Sequence, residues 1–512
     1  MPTLQLDGQS LTVHQVAQLA FDPTIQIALA PDAIAQMNAS RQVIEGWVEK
    51  GRVIYGVTTG FGEFANVVIS RENLERLQEN LIRSHAVGAG SPIELPVMRA
   101  MMALRINALA KGFSGVRVST VMTLVEMLNN NIIPVAPSQG SVGSSGDLVQ
   151  LSHLVLAAMG EGRVWSDGKI VSARPELERA GIEPLRLGAK EGLALINGTQ
   201  MMGAFGSIAL DAAIRYARTA DILAALSVEA LKGTDRAFDE RLHRARPHPG
   251  QMLVASNLRT LMSGSEIRES HRHGDDRVQD AYSLRCIPQI HGASRDAIAH
   301  VERVMTIEIN SATDNPLIFA EDGEPIEGGN FHGQPLALPL DFLTIAAAEL
   351  ANVSERRTER LVNGALSRLP RFLTTNGGLN SGYMIAQYTA ASIVSENKVL
   401  AHPASVDSIP TSANQEDHNS MGSIAAQKSL KVVQNLASVL AVEYICAAQG
   451  IDFHAPLKTG RGLQPVYELL RSQLPHLNED RVIYNDLQIA RELIESGAVL
   501  RAAEEGLGEE VG

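Results

Sequence analysis

The sequence predicts a mainly α-helical protein, with a loop-rich N-terminal part followed by a central bundle of long helices. The 512 residues are 45% hydrophobic but only 4% aromatic, and much of the chain is alanine and leucine, which favours helices over sheets. In the second half, apolar residues recur at three and four positions, the period of an amphipathic helix. No repeat or low-complexity linker divides the chain, so we expect one cooperative unit.

Glycine clusters characterise the N-terminal part, which we take to cover residues 1–200. They occur in YGVTTGFGEF (55–64), in HAVGAGSP (85–92) and in the run from Gly140 to Gly146. Glycine favours turns and loops over helix interiors. We therefore expect shorter elements here than in residues 201–512.

The uncharged stretch from Gly192 to Leu210 is nearly long enough to span a bilayer. It also contains Asn197, Thr199 and Gln200, polar side chains that a bilayer interior disfavours. The stretch therefore predicts a buried core helix with a polar start.

Longer helices are predicted at roughly 293–312, 338–362, 383–401 and 420–449. In the last of these, apolar side chains line two neighbouring sides: Leu430, Val433, Leu440 and Tyr444 on one, and Val432, Leu436 and Val439 on the other. A helix with so wide an apolar face must be covered from several directions. We expect a central bundle and helix packing between subunits.

The formal net charge is −13, which repels phosphate backbones and anionic lipid surfaces. Two cysteines, Cys286 and Cys446, are too few for a disulfide framework or a thiolate metal cage. The N-terminal segment lacks the basic and then apolar regions of a signal peptide. We therefore expect a cytoplasmic protein with no nucleic-acid or membrane partner.

Several familiar motifs fail on their spacing. GSVGSSGD (140–147) is not followed by the Gly-Lys-Ser/Thr of a phosphate-binding loop, and its glycines do not match the Gly-x-Ser-x-Gly of a serine hydrolase. The possible metal ligands lie in densely charged segments without helical HExxH spacing, which predicts solvated positions. These are His271, His273, Asp275 and Asp276, with His243 and His248 between arginines. We assign no metal.

The segment Ser144-Ser145-Gly146 can make an electrophile from its own backbone. If the Gly146 amide nitrogen attacks the Ser144 carbonyl, a five-membered ring closes. Loss of water across the Ser145 side chain then leaves an exocyclic alkene. Glycine provides an unhindered nitrogen and the middle serine provides the leaving hydroxyl. Taken alone, the motif also fits a polar turn before a helix with Asp147 as its N-cap.

Motifs along nearly the whole chain resemble the ammonia-lyase family that uses the prosthetic group 4-methylidene-imidazole-5-one (MIO). They are VIYGVTTGFGEF (53–64), SHAVGAG (84–90), GSVGSSGDLVQLSH (140–153), KEGLALINGTQ (190–200), VQDAYSLRC (278–286), TDNPLIF (313–319), GGNFHG (328–333) and VDSIPTSANQEDH (406–418). The resemblance implies a mostly helical homotetramer whose active sites draw on three subunits. It implies carbon–nitrogen lyase activity on an aromatic amino acid.

The resemblance also implies roles for individual residues. Ser145 is the methylidene precursor, Ser144 and Gly146 complete the ring, and Asn197 lies beside it. Tyr55 matches the proposed base for the β-proton, and Arg285 matches the residue that binds the substrate carboxylate, for which its planar fork is suited. Further active-site positions of the family are matched by Gln279, Tyr282, Phe331 and Gln415. Tyr282 is also a candidate acid or base.

The substrate prediction depends on His85 and Glu416, which match positions lining the side-chain pocket in the histidine-specific branch of the family. A carboxylate can hold an imidazole N–H, whereas relatives acting on phenylalanine or tyrosine commonly lack this glutamate. The resemblance thus implies conversion of L-histidine to trans-urocanate and ammonia, as in histidine catabolism. Two departures are Ser144, where alanine is usual, and GDLVQLSH, which is more similar to certain tyrosine ammonia-lyases.

Three other functions stay open from the sequence. A tyrosine ammonia-lyase would release coumarate, and a related aminomutase would return ammonia to the β-carbon. A catalytically silent helical assembly protein would keep the fold without forming the ring.

Overall fold

The computed structural model describes residues 3–275 and 277–512. Its contacts divide the chain into two compact units, and each unit is built from discontinuous parts of the sequence. The first comprises Met1–Asp211, Val301–Asp341 and Pro403–Ser429, and the second comprises Ala212–His300, Phe342–His402 and Leu430–Gly512. The division near residue 200 that the sequence suggests stays a prediction.

Over residues 3–275 and 277–512, the first unit contains short strands and eight helices of 6 to 19 residues. Its helices are Val13–Phe21, Pro31–Glu49, Leu74–His85, Leu95–Ala110, Val118–Asn129, Leu148–Ala158, Ala173–Ala180 and Glu191–Ile196, with 3-10 turns at Gly62–Phe64, Arg71–Asn73 and Ser412–Asn414. Its strands are Thr3–Leu6, Gln26–Leu29, Ala89–Pro92, Ile133–Pro134, Pro137–Gln139, Arg163–Ser166, Lys169–Ser172, Leu317–Phe319 and Glu324–Ile326. Thr3–Leu6 pairs in parallel with Gln26–Leu29, whereas the other strand pairs are antiparallel.

Helix Leu95–Ala110 forms the centre of the first unit. It begins with proline in its first turn, where the missing N–H costs no hydrogen bond, and it is buried on nearly every side. Arg99 and Arg105 are buried within it, and backbone carbonyls accept hydrogen bonds from both guanidinium groups. Three further helices, Leu74–His85, Leu148–Ala158 and Glu191–Ile196, pack against one another and hold the loops described below.

Helices that lie wholly in the second unit are Glu240–Arg244, Pro249–Leu261, Glu266–Ser270, Tyr282–Arg285, Gly364–Ser367, Met384–Leu400, Gln464–Gln473, Ile483–Glu495 and Ala498–Leu507, with 3-10 turns at Asp235–Phe238 and Arg371–Leu373. The longest helices are Gln200–Ala230, Ile287–Glu308, Gln334–Val362 and Gly422–Asp452, and each includes residues of both units. The predicted long helices are thus confirmed, with ends that differ by a few residues.

The wide apolar face predicted for 420–449 is buried within a single chain. Two helices, Gln334–Val362 and Gly422–Asp452, are long and apolar enough to cross a membrane by length and composition. The most apolar windows of these two helices are 67% and 83% buried inside the protein. This degree of burial is also what the core helices of a globular protein show.

Two fully buried carboxylates of the second unit, Glu443 and Asp221, form ion pairs with Arg357 and Arg295 respectively. Glu443 accepts hydrogen bonds from Ser227, Ser354 and Arg357, and Asp221 accepts from His291, at 2.7 Å. Buried charges persist only when they are paired and hydrogen-bonded. The long helices therefore pack through specific polar partners as well as apolar area.

Candidate active site

The loop bearing Ser144, Ser145 and Gly146 connects strand Pro137–Gln139 to helix Leu148–Ala158. Gly146 has a φ of +75° and pairs with Gly198 in an isolated parallel bridge. A Cβ atom on Gly146 would lie 2.1 Å from the Gly198 carbonyl oxygen, far inside van der Waals contact. Both the backbone conformation and the close approach therefore require glycine at position 146.

Two other segments hold the start of this loop. The Gly143 carbonyl accepts hydrogen bonds from the Ser420 hydroxyl and from the Gly333 amide, each at 2.9 Å. The Ser141 carbonyl accepts from the Ser423 hydroxyl at 2.6 Å. The loop is thus held by residues distant in sequence, which limits its conformations.

Asn197 lies in the turn between helices Glu191–Ile196 and Gln200–Ala230, so the single helix predicted from Gly192 to Leu210 is wrong. Gly198 has a φ of +154°, which breaks the helix. The Asn197 side chain at this break is buried, and its amide donates to the Ser145 carbonyl at 2.8 Å. The polar start of the predicted helix is therefore a turn that contacts the loop bearing Ser145.

Arg105 fixes the Asn197 turn from the core side. Its guanidinium is fully buried and donates to the carbonyls of Asn197, at 2.9 Å, and Ala194, at 2.6 Å. Burial lowers the pKa of Arg105 to about 10, which still leaves it charged at neutral pH. The turn that presents Asn197 is thus positioned by a buried cation.

Asp147 is fully buried beside the loop. It occupies the N-cap position of helix Leu148–Ala158, but its side chain does not cap that helix, contrary to the sequence-based alternative. Instead the carboxylate accepts a hydrogen bond, at 3.0 Å, from the amide of Met202 in the first turn of helix Gln200–Ala230. Burial raises the pKa of Asp147 to about 7, because removal from water disfavours the charged form.

Glu416 contacts both serines of the loop. Its Oε1 accepts from the Ser145 hydroxyl at 2.8 Å, and its Oε2 accepts from the Ser144 hydroxyl at 3.1 Å. Oε2 also accepts from the Thr411 hydroxyl at 2.6 Å. The carboxylate predicted to bind the substrate side chain therefore lies directly against the residues predicted to form the electrophile.

A cavity of about 830 Å³ opens over this loop. Nine of the sequence-predicted residues lie together in the first unit. Eight of them line the cavity, and the ninth, Gly146, lies in the loop below it. The lining predicted residues are Tyr55, His85, Ser144, Ser145, Asn197, Phe331, Gln415 and Glu416. A cavity of this size can hold an aromatic amino acid.

Tyr55 is largely buried, and its hydroxyl accepts a hydrogen bond from the Gly62 amide at 3.3 Å. Burial raises the pKa of Tyr55 above its ordinary value, and the negative charges of Glu327 and Glu416 raise it further. The Gly62 amide acts in the opposite direction. Without a bound molecule, Tyr55 is therefore protonated at neutral pH.

His85 ends helix Leu74–His85 and directs Nδ1 toward the Leu81 carbonyl, at 2.9 Å. That contact requires a proton on Nδ1, which leaves Nε2 as an acceptor in the neutral ring. Burial lowers the pKa of His85 below its ordinary value. The ring is therefore neutral and able to accept a hydrogen bond through Nε2.

Gln279, Tyr282 and Arg285 belong to the second unit. Tyr282 is 70% exposed, and the guanidinium of Arg285 lies 4.8 Å from the centre of its ring. Within the described part of the chain, Arg285 Nε is buried without a hydrogen-bond partner. Tyr282 and Arg285 are thus in contact with each other on the second unit.

Two of the histidines considered as metal ligands, His243 and His271, have hydrogen-bond partners. His243 is buried, with Nε2 3.0 Å from the Ala237 carbonyl and Nδ1 3.0 Å from the Gln251 amide, so its prediction as a surface residue is wrong. His248 is exposed. His271 contacts Asp275 at 3.3 Å, and Asp276 lies outside the described residues.

Comparison with known proteins covers the whole cavity-forming region. A family model described as aromatic amino acid lyase matches residues 11–472. A histidine ammonia-lyase from Alkaliphilus oremlandii is 54% identical over 507 residues, 99% of each chain. The crystal structure of histidine ammonia-lyase from Trypanosoma cruzi is 46% identical with a TM-score of 0.92, and the match covers 98% of this chain and 95% of that one. Tyrosine aminomutase from Streptomyces globisporus is 39% identical with a TM-score of 0.93, over 99% of each chain.

Proposed function

The chain belongs to the aromatic amino acid lyase family, and from that premise we propose that it eliminates ammonia from L-histidine to give trans-urocanate. The observation that carries the proposal is the position of Glu416. Its carboxylate lies 2.8 Å from the hydroxyl of Ser145, within a cavity that fits an aromatic amino acid. The residue that would bind an imidazole is thus adjacent to the residue that would form the electrophile.

The loop fits the formation of MIO from Ser144, Ser145 and Gly146. Within the described part of the chain, the Gly146 amide donates no hydrogen bond, so its nitrogen is available to form the new bond to the Ser144 carbonyl carbon. The carbonyl oxygen of Ser144 leaves as water together with the amide hydrogens of Ser145 and Gly146. A second water takes the Ser145 hydroxyl and its α-hydrogen. Glu416 accepts a hydrogen bond from this hydroxyl, so it is placed to hold the hydroxyl before it leaves.

The prosthetic group, when formed, supplies an electron-poor alkene that activates the substrate amine as a leaving group. Asn197 supports this chemistry through its 2.8 Å hydrogen bond to the Ser145 carbonyl. A donor at this carbonyl withdraws electron density from an alkene conjugated with it. Asn197 is therefore proposed as a catalytic residue that strengthens the electrophile.

Tyr55 is proposed as the base that removes the β-proton. Burial and two nearby carboxylates oppose its ionisation, so a positive charge is needed to favour the phenolate. The ammonium group of a bound amino acid supplies such a charge. The neutral ring of His85 and the carboxylate of Glu416 are proposed to receive the imidazole, while Phe331 and Gln415 line the same cavity.

Gln279, Tyr282 and Arg285 are proposed to complete the site of another copy in a homotetramer. The exposed Tyr282 ring and the unpartnered Nε of Arg285 support this, because a carboxylate-binding arginine needs an anionic partner. Exposed apolar side chains on the long helices also support assembly, among them Phe342, Ile345, Ile385 and Tyr388. Light scattering after size-exclusion chromatography would measure the number of subunits, and we expect a tetramer. We also expect the protein to be cytoplasmic.

The function is tested by adding L-histidine to the purified protein and following the absorbance of urocanate. Ser145→Ala is expected to abolish the reaction and also the loss of two waters measured by intact mass spectrometry. Ser144→Ala is the matched control for mass, because its hydroxyl is not a leaving group. A native mass equal to that of the translated chain would exclude MIO.

A second candidate activity is lyase or aminomutase chemistry on tyrosine. The likeness to tyrosine aminomutase over 99% of each chain and the Gln150 of GDLVQLSH favour it. Product chromatography with L-tyrosine distinguishes the outcomes, since coumarate indicates a lyase and β-tyrosine an aminomutase. Urocanate formation without either product would exclude this alternative.

A further inference from the structure

Two serine hydroxyls donate hydrogen bonds to the two oxygens of Glu416, and only one of these hydroxyls is lost in the proposed ring formation. Ser145 donates to Oε1 at 2.8 Å and Ser144 donates to Oε2 at 3.1 Å. In ring formation the Ser145 hydroxyl leaves as water, whereas the Ser144 hydroxyl is not consumed. Ring formation would therefore remove the donor to Oε1 and leave the Ser144 hydroxyl as a donor to Oε2.

The two remaining hydroxyl donors, Ser144 and Thr411, both donate to Oε2 of Glu416. Thr411 donates to Oε2 at 2.6 Å, and the backbones of Thr411 and Glu416 are joined by hydrogen bonds of 3.0 and 3.3 Å. Thr411 thus holds Glu416 within its own segment. Among the described residues, Ser144 is the donor that ties the carboxylate to the electrophile-forming loop once the Ser145 hydroxyl is lost.

We propose that Ser144 is a positioning residue for substrate specificity: with Thr411 it anchors Oε2 of Glu416, so that Oε1, vacated by the Ser145 hydroxyl, accepts the imidazole N–H. The proposal rests on the proposed function, because it requires both loss of the Ser145 hydroxyl and an imidazole ligand. Ser144 is only 6% exposed, so little water competes for its hydrogen bond.

The physical reason is the freedom of a glutamate side chain. Three rotatable bonds give its carboxylate many orientations, and fixing them before binding removes that entropy from the cost of binding. A hydroxyl donor to a charged acceptor also gives a stronger bond than one between neutral groups. Ser144 therefore prepares the acceptor in the orientation that the substrate uses.

The test measures binding of two acrylates without ammonia, so that no reaction occurs. The probe trans-urocanate carries an imidazole, whereas trans-cinnamate carries a phenyl ring with no N–H. For Ser144→Ala we expect about fivefold weaker urocanate binding by calorimetry, since one of two anchoring hydrogen bonds is lost. Cinnamate binding is expected to change less than about twofold, because its ring makes no hydrogen bond to Glu416.

Two further variants check the route through Glu416. In a Glu416→Ala background, adding Ser144→Ala is expected to have no further effect on urocanate binding, as a double-mutant cycle requires for a coupled pair. Ser144→Thr keeps the hydroxyl and is expected to restore at least half of the lost binding free energy. Ser412→Ala is a matched control, because Ser412 lies in the same segment as Glu416 and is not one of its hydroxyl donors.

The outcomes separate this proposal from the proposed function. If the protein without substitutions makes no urocanate from L-histidine, the proposed function itself is wrong. If it does, but Ser144→Ala weakens both acrylates equally, leaves urocanate binding unchanged or fails to lose two waters, only the role of Ser144 is overturned. An undiminished effect of Ser144→Ala in the Glu416→Ala background would also overturn it.

Discussion

Asp147 gives a prediction about stability that depends on pH. The carboxyl group is fully buried and its pKa in the folded protein is about 7, against an ordinary value of 3.8. A raised carboxyl pKa means that the folded state binds the proton more tightly than the unfolded chain. The stabilisation is therefore fully present below about pH 3.8 and is lost as the pH rises through about 7. Asp147→Asn removes this dependence.

The size of the effect follows from the pKa difference. Between about pH 5 and pH 8 the unmodified protein loses about 3 kcal/mol from this group, at 1.36 kcal/mol for each pH unit up to about 7. An unfolding entropy of about 2.1 cal/mol/K per residue gives roughly 1.1 kcal/mol/K for the 512 residues. The loss therefore corresponds to about 2 to 3 °C in Tm.

The asparagine has partners for its polar atoms. Its oxygen can accept from the Met202 amide, as the carboxylate does at 3.0 Å. Its amide can donate to the Ser141 hydroxyl, which lies 3.2 Å from the carboxylate, because a hydroxyl oxygen can also accept. The substitution thus removes a charge without leaving a buried polar atom unpaired.

Calorimetric scans of both proteins at one concentration would measure the difference in Tm at about pH 5 and pH 8. We expect the Tm of Asp147→Asn, relative to the Tm of the protein without substitutions, to be about 2 to 3 °C higher at pH 8 than at pH 5. Asp239→Asn is the control, because hydrogen bonds from Arg241 lower the pKa of that exposed carboxyl and it stays ionised throughout. An Asp147→Asn difference independent of pH would refute the reasoning.

Three further outcomes are expected. Gly146→Ala would place a Cβ 2.1 Å from the Gly198 carbonyl oxygen, so intact mass spectrometry should find no loss of two waters. Asn197→Ala removes the donor to the Ser145 carbonyl and should lower kcat for urocanate formation by about 10² to 10³ while the two-water loss persists; an unchanged kcat would contradict its role. Burial raises the pKa of Glu229 to about 8, so the stability that its protonated form contributes is lost as the pH rises through about 8. The Tm of Glu229→Gln, relative to that of the protein without substitutions, should therefore be about 2 to 3 °C higher at about pH 9 than at pH 6.

The sequence predicted the helical fold and eight of the residues that line the cavity. Apolar periodicity located the long helices because it reports burial directly. Motif resemblance identified Ser145, Asn197, Glu416 and Tyr55 before their proximity was known, and the structure brings them to one cavity. Ring closure would involve only adjacent residues, so the segment itself suggested it, although the resemblance of other motifs was needed to favour it over a polar turn.

Other features depend on contacts between distant segments and had no local signal. Asp147 looked like the N-cap of the helix it precedes, yet its carboxylate accepts from Met202 in another helix. Arg105 is a buried cation that contacts a turn far along the chain, although arginine usually predicts exposure. His243 was misassigned for the same reason, since flanking arginines suggested a surface while tertiary packing buried the ring.

The main-chain bridge between Gly146 and Gly198 has a consequence for protein engineering. It couples the loop proposed to form the electrophile to the Asn197 turn through backbone atoms, so rotamer changes in surrounding side chains leave the spacing between them unaltered. Grafting the three ring-forming residues alone into another scaffold would omit half of this arrangement. A transplanted electrophile needs both backbone segments, joined in the same register.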